Sequence, residues 1–99
     1  MKVMVVGGGA REHTLTWKLS RSKRVKEIYV APGNAGTGQI AKNLDISPTN
    51  LEALAGAAKD NKIDLVVVGP EAPLAAGIVD KLDRLGIPAF GPTKEAALI

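Results

Sequence analysis

Three glycine-bearing segments hold the residues in this sequence that could do chemistry. The first is Gly7-Gly8-Gly9-Ala10-Arg11-Glu12-His13. Glycines in such a run let the backbone approach a ligand closely, and the N–H groups that open a following helix attract an anion. Arg11 suits a phosphate, although a solvated first-turn arginine has the same sequence signature. The second is Gly69-Pro70-Glu71-Ala72-Pro73-Leu74, where the Glu71 carboxylate could accept two hydrogen bonds from the vicinal hydroxyls of a ribose. An acid near a helix N-terminus, favoured by the dipole alone, is the plainer alternative. The third is Pro32-Gly33-Asn34-Ala35-Gly36-Thr37-Gly38, which has more glycine than a turn requires and reads as a flexible binding loop or a plain surface loop. His13 is the only histidine, and packing on its helix with a bond to a nearby carbonyl is its expected role.

The glycine turn is a broken dinucleotide fingerprint. Gly7-x-Gly9 supplies the first two glycines, but Glu12 stands where the third, small residue belongs. The acidic residue expected about 20 positions on is missing as well, because that stretch runs into Ala31-Pro32-Gly33-Asn34. The pattern points to a monophosphate and away from NAD.

The elements that position these segments follow from hydrophobic periodicity. Lys2 to Val6 is a nearly continuous apolar run, as expected of a central strand buried on both faces. A helix is predicted from about Arg11 to Ser22, with Leu15 and Leu19 on one face and Trp17 in the core or an interface. Glu27 to Val30 reads as a second strand and Asn43 to Ile46 as a third. Ser47 before Pro48, or Thr49 paired with Glu52, signals a helix start. Leu51, Leu54, Ala55 and Ala58 form that helix's apolar stripe, which ends near residues 59–62. Asp64 to Val68 is a fourth strand. Leu74, Ile78, Leu82 and Leu85 line a third helix opposite Asp80, Lys81, Asp83 and Arg84, stopped by Gly86 and Pro88. Ile87 to Phe90 is a fifth strand. Right-handed crossovers give an α/β, Rossmann-like, doubly wound parallel sheet of about five strands with order 3-2-1-4-5. In that order strands one and four flank the topological switch point, so Glu71 is expected to face the glycine turn across one crevice.

Composition sets the outer bounds. A chain of 99 residues, 45% apolar and 23% charged, has the make-up of one ordinary globular domain. At this length it can bury roughly two thirds of its unfolded surface without staples. Zero cysteines remove disulfide scaffolds, thiolate zinc sites and thiol nucleophiles, and a lone histidine leaves no imidazole cluster. The lack of cysteine fits a cytoplasmic protein. Arg11, Glu12 and Lys18 interrupt the first apolar segment before it could serve as a membrane span or signal peptide. The net charge is +3, and Lys18, Arg21, Lys23, Arg24 and Lys26 cluster near the end of the first helix. With only Trp17, Tyr29 and Phe90 as aromatics, no nucleic-acid-binding signature accompanies them. A phosphorylated small molecule fits that charge better.

The ordered motifs GGGAREH, APGNAGT, VVVGPEAPLAAGIVD and GIPAFGPTKEAA together resemble the N-terminal pre-ATP-grasp domain of the phosphoribosylamine-glycine ligases, also called glycinamide ribonucleotide synthetases. The resemblance covers essentially the whole chain. It implies residues 1–92 as a substrate-binding domain and 93–99, opening at Thr93, as the start of a helix leading into downstream ATP-grasp domains. The chain would then be about a quarter of the enzyme. The implied reaction joins glycine to 5-phosphoribosylamine in de novo purine biosynthesis, giving glycinamide ribonucleotide, ADP and phosphate through a glycyl acyl phosphate. ATP and Mg²⁺ (or Mn²⁺) would bind in the downstream domains, against which this one would pack, and catalysis would need them. The positions carried over are Gly8, Gly9, Arg11 and Glu12 around the phosphate or ribose, Glu71 on the ribose hydroxyls, and Asn34. Thr14 and Thr16 depart from the small apolar residues usual in the family, which touches helix packing. The alternatives are a pre-ATP-grasp domain of another carboxylate-amine ligase, a non-catalytic sugar-phosphate or nucleotide-binding module, and an NAD-dependent oxidoreductase domain, which Glu12 argues against.

Overall fold

The structure, a computed structural model, describes residues 1–69 and 75–90. Its elements are β1 (Lys2–Gly7), α1 (Ala10–Ser20), β2 (Glu27–Pro32), a 3₁₀ turn (Thr37–Gln39), β3 (Lys42–Asn43), α2 (Leu51–Asp60), β4 (Leu65–Val68), α3 (Ala75–Arg84) and β5 (Ala89–Phe90). All strands are parallel, in the order β3-β2-β1-β4-β5. The expected architecture and strand order are therefore those observed. Glu71, Leu74 and the helix expected after Thr93 lie outside the described residues.

The continuous apolar run of β1 follows from its place in the middle of the sheet. Val5 pairs with Val30 on one side and Val67 on the other, and its side chain has nowhere to go but a core. Alternation along β1 sends residues to two separate cores. Met4 and Val6 join Tyr29, Ala31, Val66 and Val68 against Leu54, Ala55 and Ala58 of α2 and Ile78 and Leu82 of α3. Val3 and Val5 join Ile28, Val30 and Val67 against Leu15 and Leu19 of α1. Ile78 and Leu82 are each 1% exposed, and burying side chains of that size contributes roughly 1.5–3 kcal/mol apiece. The Lys81–Glu52 ion pair joining the same two helices at 2.7 Å is solvent-facing and contributes at most about 1 kcal/mol. Apolar packing, not charge, holds α3 to α2.

Several expectations needed correction. Trp17 is 50% exposed, with the Arg21 guanidinium 5.5 Å from its ring centroid, and it is not in the core. The buried stripe of α1 is Glu12, Thr16 and Leu19, about 130° of helix away from Trp17. Two polar residues in that stripe hid it from a reading based on hydrophobicity. Leu85 is 50% exposed as well, because α3 ends at Arg84. There Gly86 (φ 76) takes the left-handed position, with Ile87 N–H donating to Leu82 O (2.9 Å) and Gly86 N–H to Asp83 O (3.0 Å). The α2 cap is neither Ser47 nor Thr49 but Asn50, whose side chain accepts from Ala53 N at 3.1 Å. Ser47 instead accepts from Thr49 N inside the preceding turn. Strand β2 continues past Val30 to Pro32, paired with Gly7 through a cis Ala31–Pro32 peptide. Strand β3 spans two residues and not the four from Asn43 to Ile46, and β5 is likewise shorter than expected.

Candidate functional site

The glycine turn lies at the C-terminal end of the central strand, at the switch point where parallel open sheets bind ligands. Gly7 ends β1 with φ 137, a conformation that L side chains rarely adopt. Gly9 then serves as the N-cap of α1 without any side-chain hydrogen bond to the helix. The first intrahelical bond runs from His13 N to Gly9 O at 3.1 Å, and Gly9 itself brings no side chain to cap the amides at the helix opening. A serine or aspartate at Gly9 would satisfy one of them and obstruct an incoming anion. Gly8 and Arg11 are exposed at this opening.

Glu12 is buried to 1% exposure beneath the turn. Its room is made by two strand ends: a β-carbon added at Gly7 would lie 2.6 Å from Glu12 Cγ, and one at Gly69 would lie 2.6 Å from Glu12 Cδ. Gly7 closes β1 and Gly69 follows β4, so the carboxylate bridges the crevice at its floor. Thr16, one turn on and fully buried, donates its hydroxyl to Glu12 O at 2.6 Å, which satisfies the polar group that a small apolar residue would not bring. Gly7 and Gly69 open the first two candidate segments of the sequence, but their part in making room for Glu12 was not foreseen there. The signal was present in Glu12 itself, because a large side chain at a close-packed position demands missing side chains opposite it.

The loop after β2 is anchored to this turn. The Asn34 side-chain amide donates to Gly8 O at 2.9 Å and to Gly9 O at 3.3 Å, while its Oδ1 accepts from Thr37 N at 2.9 Å. Gly33, with φ 76, donates its N–H to Gly7 O at 3.1 Å. A β-carbon on Gly33 would come within 2.7 Å of Thr37 Oγ1 and would collide with the Asn43 amide. The exposed His13 ring rests over Gly36, where a β-carbon would be 2.5 Å from Cε1. His13 thus packs against the loop, and with Thr14 and Trp17 it lines a hollow of about 230 Å³ on the outer side of α1. The segment expected to be flexible is held by at least six hydrogen bonds.

The structure therefore brings Gly8, Gly9, Arg11, Glu12 and Asn34 to one end of the sheet, and Glu71 lies outside the described residues. Thr37 and Asn43 join them without having been singled out. Chemically, the amides at the helix opening and a guanidinium are donors of the kind that suit an anion, with a buried carboxylate beneath them. Among the described residues no three His, Cys, Asp or Glu side chains gather as metal ligands. No described helix is long and apolar enough to cross a membrane.

Comparison with known proteins places this geometry in a family. The family model described as phosphoribosylglycinamide synthetase, N domain, matches residues 1–99. A phosphoribosylamine-glycine ligase of Caldanaerobacter subterraneus subsp. tengcongensis is 57% identical over 99 residues, spanning 100% of this chain and 24% of that protein. The trifunctional purine biosynthetic protein adenosine-3 of Bos taurus is 57% identical over 98 residues, 97% of this chain and 10% of its own length. The crystal structure of a phosphoribosylamine-glycine ligase from Thermotoga maritima shares the fold, with TM-score 0.59 and 23% identity over 96% of this chain and 20% of that one. The chain thus spans a quarter or less of the proteins it resembles.

Proposed function

The chain belongs to the phosphoribosylglycinamide synthetase N-domain family, and on that premise we propose that it is the sugar-phosphate-binding part of an ATP-dependent carbon-nitrogen ligase. The full-length enzyme joins glycine to 5-phosphoribosylamine in de novo purine biosynthesis, with release of ADP and phosphate. ATP and Mg²⁺ (or Mn²⁺) supply activation of the glycine carboxylate, and the domains that hold them pack against this one. The observation that carries this reading is the glycine-capped opening of α1 at the end of β1, with Arg11 in its first turn.

Within that substrate the groups divide by charge. The phosphate suits the amides after Gly8 and Gly9 and the Arg11 guanidinium, because all are donors. Glu12, a carboxylate at 1% exposure, lies beneath the turn and contributes negative charge to the ribose side and not to the phosphate. Glu71 is the acceptor for the ribose hydroxyls. The role of Asn34 is to hold the glycine turn, since both of its N–H groups go to backbone carbonyls.

The test is steady-state kinetics of Arg11→Ala and Glu71→Ala in the full-length ligase. Loss of a charged contact raises the KM for phosphoribosylamine by about tenfold or more while the KM for ATP stays within about twofold. Equal changes in both constants, or no change in either, removes the sugar-phosphate site from this domain.

A further inference from the structure

We infer that Thr37 and Asn43 are positioning residues for the phosphate end of the substrate, acting through Asn34; this rests on the sugar-phosphate reading above. Thr37 is 0% exposed although it lies in a short surface turn. Its hydroxyl oxygen accepts from Asn34 N at 2.8 Å. Two acceptors lie within reach of its single proton, Asn43 Oδ1 at 2.8 Å and Asn34 O at 3.0 Å. Asn34 O already accepts from Asn43 Nδ2 at 2.8 Å and from Gly38 N at 3.0 Å, which uses both of its lone pairs, so the proton goes to Asn43 Oδ1. The result is a closed ring: Asn34 N–H to Thr37, Thr37 O–H to Asn43, Asn43 N–H to Asn34 O. The ring fixes the Asn43 amide orientation and the backbone of Asn34 on both sides of its α-carbon.

The ring matters because of what Asn34 does next. Its amide holds the carbonyls of Gly8 and Gly9. In a planar trans peptide the C=O and the following N–H point in opposite directions. Holding the Gly8 carbonyl toward the loop turns the Gly9 N–H away from it, toward the opening of α1, while the Gly9 carbonyl is shared with His13 N, the first bond of the helix. A glycine-rich turn has no side chains to enforce this direction, and an anion site built of amides depends on it. Asn43 is anchored in turn by β3, where it pairs with Val30, and Leu44 N donates to Val30 O at 2.7 Å. Edge strand, turn and glycine turn therefore form one line of positioning.

The experiment varies phosphoribosylamine at saturating ATP and glycine in the full-length ligase carrying Thr37→Val, Thr37→Ser or Asn43→Ala, with Arg11→Ala alongside. Thr37→Val keeps the side-chain shape and removes the ring's hydroxyl; Asn43→Ala breaks the same ring from a solvent-exposed strand, should the valine variant not fold. A positioning role raises the KM for phosphoribosylamine about tenfold in both, leaves kcat and the KM for ATP within about twofold of the parent, and gives recovery in Thr37→Ser. If Arg11→Ala raises that KM and the ring variants do not, the positioning role is wrong and the site stands. If none raises it, the sugar-phosphate reading itself fails. A fall in kcat with both KM values rising together, and no recovery with serine, marks a merely structural ring and overturns the inference.

Discussion

The carboxylate of Glu12 occupies the space that a side chain on Gly69 would fill: a β-carbon there would sit 2.6 Å from Glu12 Cδ. Helix α1 and the end of β4 are fitted to each other through the absence of one methyl group. Gly69→Ala therefore forces a buried carboxylate to move, and such overpacking costs typically about 1–3 kcal/mol. Gly69 has no positive φ, so the substitution isolates crowding from backbone strain. Denaturant unfolding of the domain reads the loss. An unchanged midpoint would mean that Glu12 has a second place to go.

Helix α2 ends in the same motif as α3, with Ile63 N donating to Ala58 O at 2.9 Å and Lys62 N to Lys59 O at 3.1 Å, but its left-handed residue is Lys62 at φ 55. A β-carbon is unfavourable in that conformation by roughly 1–2 kcal/mol, partly offset by the entropy glycine loses on folding. Lys62→Gly is expected to stabilise the domain by about 0.5–1 kcal/mol. Gly86→Ala, at φ 76 with open space around it, is expected to cost about 1 kcal/mol. The two unfolding midpoints should move in opposite directions.

Asn50 caps α2 by accepting from Ala53 N. Asn50→Ala should lower stability by about 1 kcal/mol, whereas Ser47→Ala, outside the helix, should change it by no more than about 0.5 kcal/mol. A larger loss from Ser47 would return the cap to the place where the sequence alone puts it.

What the sequence disclosed and what it hid divide along physical lines. The sheet was legible because parallel strands buried on both faces leave unmistakable runs such as Val3 to Val6 and Val66 to Val68, and because right-handed crossovers leave few orders open. Gly86 was legible as a helix stop because its backbone conformation is encoded in its own residue type. Of the two readings of Trp17 the core one failed, because the inward stripe of α1 contains Glu12 and Thr16, and the room for Glu12 depends on glycines elsewhere in the chain. The cap at Asn50 was misplaced because three capping residues stand within four positions and only tertiary packing selects one. Thr37 and Asn43 were hidden for the same reason: six residues apart and unremarkable in type, they meet only when β3 pairs with β2.

Glu27 and Tyr29 allow a test with pH. The Tyr29 hydroxyl donates to Glu27 Oε2 at 3.1 Å, and Lys2 lies 3.6 Å from the same oxygen. The hydrogen bond first, and then the lysine charges, hold the Glu27 carboxyl below its ordinary value of 4.5. A folded-state value below the unfolded one means that the contribution is present above the ordinary carboxylate range and is lost as pH falls through the lowered value. In a ¹³C titration, Tyr29→Phe should move the Glu27 midpoint upward. A midpoint that stays in place would assign the shift to the lysines instead.

The proposed function turns on whether the glycine-capped opening of α1 receives the phosphate of a sugar-phosphate. Amide chemical shifts of ¹⁵N-labelled protein, titrated with ribose 5-phosphate as a stable stand-in for phosphoribosylamine, test it most directly. Saturable shifts concentrated at Gly8, Gly9, Ala10 and Arg11 are expected, with Asn34 following, and their loss in Arg11→Ala. Saturable shifts at the opposite end of the strands, around Lys2, Lys26 and Lys62, with the glycine turn unmoved, would contradict it.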